Sequence, residues 1–184
     1  NGTDAFLLAD KALDDQKYNT SSTSITWETC TMRSWLNGYD SSSNSYGRDY
    51  TKFNFINTAF TSSERSAIKT TEVVNDNNIR YSTAGGNDTS DKVFLLSENE
   101  VYNSNTAFSY GFTKSDSKYD EGRRCKSSTF AKAMGVYSSI DSPYAGNCLW
   151  WLRSPGCTTS DAASVNHNGY ISDFGDDVGY DRIA

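Results

Sequence analysis

One histidine and four cysteines hold most of the conventional reactive chemistry open to this 184-residue chain. His167 lies in "SVNHNGYI", a run that reads as a turn. A nucleophile–base–carboxylate triad built on it would lack the strand–turn–helix setting that presents the nucleophile. Cys30, Cys125, Cys148 and Cys157 form no C-x-x-C pair and lie mostly far along the chain from the histidine, which argues against a zinc site. An even count of cysteines in an acidic chain rich in Asn, Ser and Thr points instead to disulfides and an oxidising compartment. Three connectivities can be drawn. The preferred one joins Cys125 to Cys148, closing a Ser/Gly/Tyr-rich loop and stabilising the fold by roughly 3 kcal/mol. Cys30 and Cys157 then pair or stay free, and four buried reduced thiols are the alternative. Carboxylates are plentiful enough that some pair will fall at glycosidase spacing by chance, so no residue is assigned a catalytic role. The tail run "DFGDDVGYD" invites calcium but lacks the regular EF-hand ligand spacing. Calcium is retained as a candidate ligand, and no other cofactor is expected.

The elements that must position these groups belong to a polar, acidic chain. A net charge of -6 and a pI near 4.7 argue against nucleic acid, whose binding rests on basic side chains neutralising phosphates. Arg123, Arg124 and Lys126 form the longest basic cluster and read as a solvated loop. No apolar run approaches the ~20 residues needed to cross a bilayer, so membrane insertion by this segment is not expected. Hydrophobic residues make up 36% and aromatics 14%, and the mean hydropathy is -0.67. A small, aromatic-heavy core under a large polar surface follows, because Tyr and Trp cover apolar neighbours while their polar ends reach water. The length suggests a single domain, 1–184. Its abrupt ends, "NGTD" and "GYDRIA", suggest a fragment of a longer protein. Sequons at Asn1, Asn19 and Asn87 are expected by chance in so Asn-rich a chain.

Two similar runs, "DAFLLADKAL" and "DKVFLLSENEV", each read as a short buried strand leaving the core. Helices are few. "TSSERSAIKTTEV" has a capping box from Thr61 to Glu64 with Ala67 and Ile68 turned inward, and "SENEVYN" repeats the box with Ser97 and Glu100. "WETCTMRSWLNG" aligns Trp27, Cys30, Ser34, Trp35 and Leu36 for one helical face, ended by Gly38 in a left-handed cap. "SSTFAKAMG" offers an apolar side of Phe130, Ala131 and Met134 and a Gly135 stop. Between them run long loops over 38–54, 74–90, 103–124 and 137–146, expected to be ordered. In the tail, Val165, Ile171, Val178 and Ile183 anchor a meander, and Asn168-Gly169 is a strong hairpin signal.

"CLWWLRS", read as a strand, sends Cys148, Trp150 and Leu152 to one face and Leu149, Trp151 and Arg153 to the other. Large apolar groups on both faces mean burial on both sides. Arg153 must then find a carboxylate or carbonyls, because an unpaired buried charge is too costly. Trp150, Trp151 and Arg153 are therefore assigned to the structural core, and Pro155-Gly156 ends the strand.

"WWLRSPG", followed by "AASVNHNGYI" and a glycine-punctuated tail, resembles a family of bacterial secreted and surface domains filed as a domain of unknown function. "FLLADKALDDQKYN", "TWETCTMRSWLN", "FINTAFTSSERSAI", "DKVFLLSENEV" and "RCKSSTFAKAMG" look like the family's successive blocks. The resemblance departs at both ends, where the family has a further strand and a Val-Arg-Pro-Ala-Leu ending. It implies an α+β, C-type-lectin-like fold: a small mixed or antiparallel sheet with a few short helices and long ordered loops. That version of the fold is shared with formylglycine-generating enzymes and with the variable proteins of diversity-generating retroelements. In the latter, a C-terminal meander displays exchangeable residues to ligands.

By that resemblance the ligand face would comprise Ser160, Asp161, Asn166, His167, Asn168, Tyr170, Asp173, Phe174, Asp176, Asp177, Tyr180 and Asp181. The residues alone single out the same segment, since Tyr, Phe, Asn, Asp and His on rigid turns suit an adaptable recognition surface. The expectation is a non-enzymatic, secreted or cell-surface module for adhesion to a protein or glycan. A structural or self-associating domain of a surface or fibre protein is the alternative. A formylglycine-generating-like oxidase would need a cysteine pair for copper, for which only Cys148 and Cys157 are near neighbours in sequence.

Overall fold

Strand "WWLRSP" organises the rest of the molecule. The computed structural model describes residues 4–102, 112 and 118–184, and the architecture is mixed α/β with small sheets and short helices. In chain order the strands are β1 (Lys11–Ala12), β2 (Thr71–Val73), β3 (Thr89–Asp91), β4 (Cys125–Ser127), β5 (Asn147–Cys148), β6 (Trp150–Pro155), β7 (Asp161–Val165) and β8 (Ile171–Asp177). The helices are α1 (Thr31–Asn37), α2 (Phe55–Ala59), α3 (Ser62–Ala67), α4 (Glu98–Val101) and α5 (Thr129–Met134). β6-β7-β8 form an antiparallel meander, β2 pairs with β3, and β1-β4-β5 form a mixed sheet in which β1 runs parallel to β4.

Within β6 the period-2 reading holds, but Cys148 departs from it. The run breaks at Leu149, and Cys148 lies in β5 on a different sheet, where it packs with Ala12, Ala131 and Val136 rather than with Trp150 and Leu152. Trp151 packs on one face with Tyr18, Trp27, Met32, Ala162 and Val178. On the other face, Leu152 packs with Leu96, Ala163, Val165 and Ile171, and the partly buried Trp150 covers them. Both indoles also find acceptors, as buried Trp N–H groups must: Trp151 Nε1 donates to Gln16 O at 3.0 Å and Trp150 Nε1 to Arg123 O at 3.1 Å. Arg153, 3% exposed, finds both kinds of partner. Its guanidinium pairs with both oxygens of Glu100 at 2.5 and 2.9 Å and donates to Val74 O and Leu95 O. Ile183 is fully buried, and the chain end lies along β6 through Trp151 N to Ala184 O at 2.8 Å and Ala184 N to Leu149 O at 3.1 Å.

Local chemistry set the caps. Thr61/Glu64 and Ser97/Glu100 close full capping boxes on α3 and α4, and Gly38 ends α1 at φ 70. Side-chain direction was less readable. α3 buries none of its residues and Ala67 is exposed, because the helix lies flat on the surface next to α2. Phe130 and Met134 of α5 are 58% and 51% exposed while Ala131 is fully buried; only the small residue fits against Ala12 and Cys148. The expected helix from Trp27 splits into a 3-10 turn at Trp27–Thr29 and then α1, whose N-cap is Cys30.

The two Phe-Leu-Leu runs are not buried strands. Phe6, Leu7 and Leu8 are 48%, 86% and 50% exposed. Phe94 and Leu95 are half-buried in irregular chain, which leaves Leu95 O and Leu96 O free to receive Arg153. Arg123 also departs from expectation. It is 1% exposed and donates to Gly169 O and Val101 O, a structural bolt rather than a solvated charge. Of the expected loops, 38–54, 74–90 and 137–146 are described and hydrogen-bonded, and buried Asn44, Asn54, Asn75 and Asn78 help to hold the first two. Most of 103–124 lies outside the described residues, as does Asn1. Asn19 itself is fully buried.

Candidate functional site

β7 and β8 are joined through "NHNGY", and the Asn168-Gly169 turn forms as its sequence requires. Gly169 N donates to Asn166 O and Asn166 N to Tyr170 O, both at 2.8 Å. Gly169 takes φ 84, and a Cβ there would stand 2.1 Å from Asp120 O, so this position admits only glycine. The turn is held from outside as well. Asp120 N and Arg123 Nε donate to Gly169 O, Arg124 Nε to Asn168 O and Asn147 Nδ2 to His167 O.

On this rigid turn a group of aromatic rings collects from three chain segments. Tyr119 and Tyr170 lie with ring centroids 4.6 Å apart. The His167 ring stands 5.8 Å from Tyr137 and 5.6 Å from Tyr144. The Arg124 guanidinium sits 5.0 Å over the Tyr144 ring, a cation–π contact. Tyr119 is 61% and Tyr137 38% exposed. Sequence reasoning placed His167, Asn168 and Tyr170 here and missed Tyr119, Tyr137, Tyr144 and Arg124. They come from distant segments, and only tyrosine abundance in the connecting loops pointed to them.

The expected ligand face does not stay together. Asn166, His167, Asn168 and Tyr170 occupy the turn end. Ser160, Asp161, Phe174, Asp176 and Asp177 gather at the opposite end, where Asp161 pairs with Asp177 across β7 and β8. Five residues of β7 keep the two groups roughly 15 Å apart. At the far end the polar groups satisfy one another: Asp161 accepts from Thr158 at 2.7 Å, Asp176 from Ser164 at 2.6 Å and Asp177 from Ser22 at 2.5 Å. Phe174 is exposed and meets Tyr81 edge-on at 6.1 Å. Tyr180, 49% exposed, follows this end. Asp181 lies elsewhere, on the rim of a cleft of about 410 Å³ lined also by Asp15, Gln16, Lys17, Trp35 and Tyr50. Burial raises the Asp15 carboxyl above its usual range there.

Asp173 was expected to be displayed and is not. It is 3% exposed and ion-paired with Lys118 and, at 3.8 Å, with Arg80. Alternation explains this, because Ile171 and Asp173 share the inward face of β8. Glu98, 2% exposed, lies close enough to feel Asp173. Desolvation first, and that neighbouring charge as a smaller cause, raise its carboxyl above the ordinary 4.5. A raised carboxyl favours the folded state fully below its ordinary value, and that contribution is lost as pH rises through the raised value. Glu98→Gln is therefore expected to raise the melting temperature at pH 7 and to leave it nearly unchanged at pH 4, as read by thermal unfolding at both.

The cysteines divide in the same way. Cys125 and Cys148 stand directly opposite each other across β4 and β5, and all four thiols are free. Cys157 follows β6 at the far end and donates to Asp161. The length of β6 therefore separates it from Cys148, and proximity in sequence does not become a shared copper site. Among the described residues no group of three or more His, Cys, Asp or Glu converges as a metal site, and no helix is long and apolar enough to cross a membrane.

A family model described as a domain of unknown function, DUF6273, matches residues 2–180. No curated protein and no solved structure matches the chain.

Proposed function

The chain belongs to the DUF6273 family, and on that footing we propose that it is a non-enzymatic extracellular recognition module of C-type-lectin-like architecture. Its binding face is the tyrosine-rich turn end. One observation supports this reading: Tyr119, Tyr137, Tyr144, His167 and Tyr170 are brought together around a turn fixed by hydrogen bonds on every side. Tyrosine offers large, rigid, amphipathic contact area at low entropic cost, and pre-organised loops lower the cost of binding further. An exposed ring group of this kind suits a protein surface. The polar composition and the facing cysteines of β4 and β5 agree with a secreted or cell-surface setting.

A second reading has its own observation. The cleft beside Trp35 combines an indole with Gln16, Lys17, Tyr50 and Asp181, a mixture suited to a sugar. One experiment separates the two. A partner is first captured on protein and glycan arrays, and Tyr119→Ala, Tyr137→Ala and Tyr170→Ala are combined. Loss of affinity of at least about 100-fold is expected, since central aromatic anchors cost upward of ~2 kcal/mol each. Phe174→Ala with Tyr180→Ala, at the other end, should leave affinity within a few-fold. Binding that survives the triple change and is lost in Trp35→Ala moves the site to the cleft.

A further inference from the structure

We propose that Cys125 and Cys148 are a cross-strand redox pair, joined by thiol–disulfide exchange with a disulfide donor, and that the bond clamps the loop presenting the tyrosine end. The geometry comes from register. Cys125 is the direct antiparallel partner of Cys148, and opposed residues in such ladders have Cα atoms about 4.5 or 5.5 Å apart. Both spacings fall in the range of about 4.4–6.8 Å that a disulfide spans, so no backbone movement is needed. Cys148 Sγ already donates to Cys125 O at 3.4 Å. The surroundings are Ala12, Ala131, Val136 and Ala184, which accept a disulfide without stranding a charge. Neither remaining thiol has this setting. Cys30 is sealed in the main core against Trp27 O, and burial pushes it up to about 12.

The two sulfurs differ in a way that suits exchange. Cys125 is partly exposed and Cys148 fully buried. The hydrogen bond between them holds the Cys148 thiol below its ordinary value and, with burial, raises that of Cys125, so Cys148 is the thiolate that resolves the mixed disulfide. Cys125, the accessible sulfur, meets the donor: on giving up its proton to solvent it attacks the S–S bond of a small donor such as oxidised glutathione, forming a mixed disulfide and releasing one thiol. The Cys148 thiolate then attacks the Cys125 sulfur, forming the internal disulfide and releasing the second thiol. The protein loses two protons and two electrons, and the donor gains both. The closed segment includes α5 and carries Tyr137 and Tyr144. Without the bond, two residue pairs of β4–β5 and a few loop hydrogen bonds hold its base.

The consequence for ligand affinity rests on the recognition reading above; the bond itself does not. The full chain is equilibrated with oxidised glutathione or with dithiothreitol, then examined by intact mass, peptide mapping and thermal unfolding. The expected product has lost two hydrogens, links the Cys125 and Cys148 peptides, and melts about 10 °C higher than the reduced protein. Cys125→Ser, at the more exposed position, should abolish that rise, whereas Cys157→Ser should leave it intact. A persistent glutathione adduct at Cys125, a link to another cysteine, or a bond without a melting shift would each overturn the proposal. These measurements need no ligand, so failure of the tyrosine face to bind leaves them readable.

Discussion

Glu100→Gln is expected to destabilise the protein by about 3–5 kcal/mol, because it leaves a buried guanidinium without its counter-charge. The Arg153 side chain is 2% exposed and holds both Glu100 oxygens. The same carboxylate accepts from Ser97 N at 2.7 Å to complete the cap of α4, so one substitution weakens two devices. For a domain of this size the loss corresponds to a fall in melting temperature of roughly 6–20 °C. Thermal and urea unfolding together measure it. An apolar double change, Glu100→Leu with Arg153→Met, should not restore stability. Arg153 also satisfies Val74 O and Leu95 O, and buried carbonyls deprived of donors carry their own penalty. Full recovery in the double variant would show that those carbonyl contacts contribute nothing.

Asp91→Asn is expected to cost a similar ~3–5 kcal/mol. Asp91 is fully buried and accepts from four side chains. Arg33 Nε reaches it at 2.8 Å, Thr89 at 2.7 Å, Tyr39 at 3.0 Å and the Trp27 indole at 3.1 Å. An amide there would turn an N–H₂ group toward donors and remove the charge that pairs with Arg33. The bonds tie β3 to the Trp27 turn and to α1, so their loss should loosen the face on which Trp151 packs. Burial and the neighbouring carboxylate push the Tyr39 phenol up to about 12, which keeps it a donor throughout the physiological range. Loss of near-ultraviolet dichroism alongside the lower melting point is the expected signature. A variant that melts within 2 or 3 °C of the parent, where roughly 6–20 °C is expected, would remove Asp91 as a hub.

Both hubs belong to classes legible in the chain, yet only one was foreseen. The alternation of "CLWWLRS" required Arg153 to be buried and therefore paired, and it is. Nothing in "TSDKV" announced Asp91, because its four donors come from residues 2 to 64 positions away. Capping boxes, the Gly38 stop and the Asn168-Gly169 turn were readable for the opposite reason: each is settled within about four residues by backbone chemistry. The Phe-Leu-Leu runs misled because hydrophobicity alone does not say which side of a chain will find a neighbour. Phe6 to Leu8 found few, and Phe130 and Met134 were displaced from the interior by Ala131.

By itself, the sequence determined which strand would be buried on both faces, that Val165, Ile171, Val178 and Ile183 would anchor the tail, and where the chain would turn. These follow from side-chain period and from residues that only certain backbone angles accept. Tertiary structure alone decided which displayed residues share a surface. β7 holds the two halves of the expected ligand face at opposite ends, burial removes Asp173, and Tyr119, Tyr137 and Tyr144 arrive from other segments to join His167 and Tyr170. The physical reason is that a hairpin's polar side chains are placed by register and by whatever packs alongside, and both depend on contacts between residues far apart in the chain.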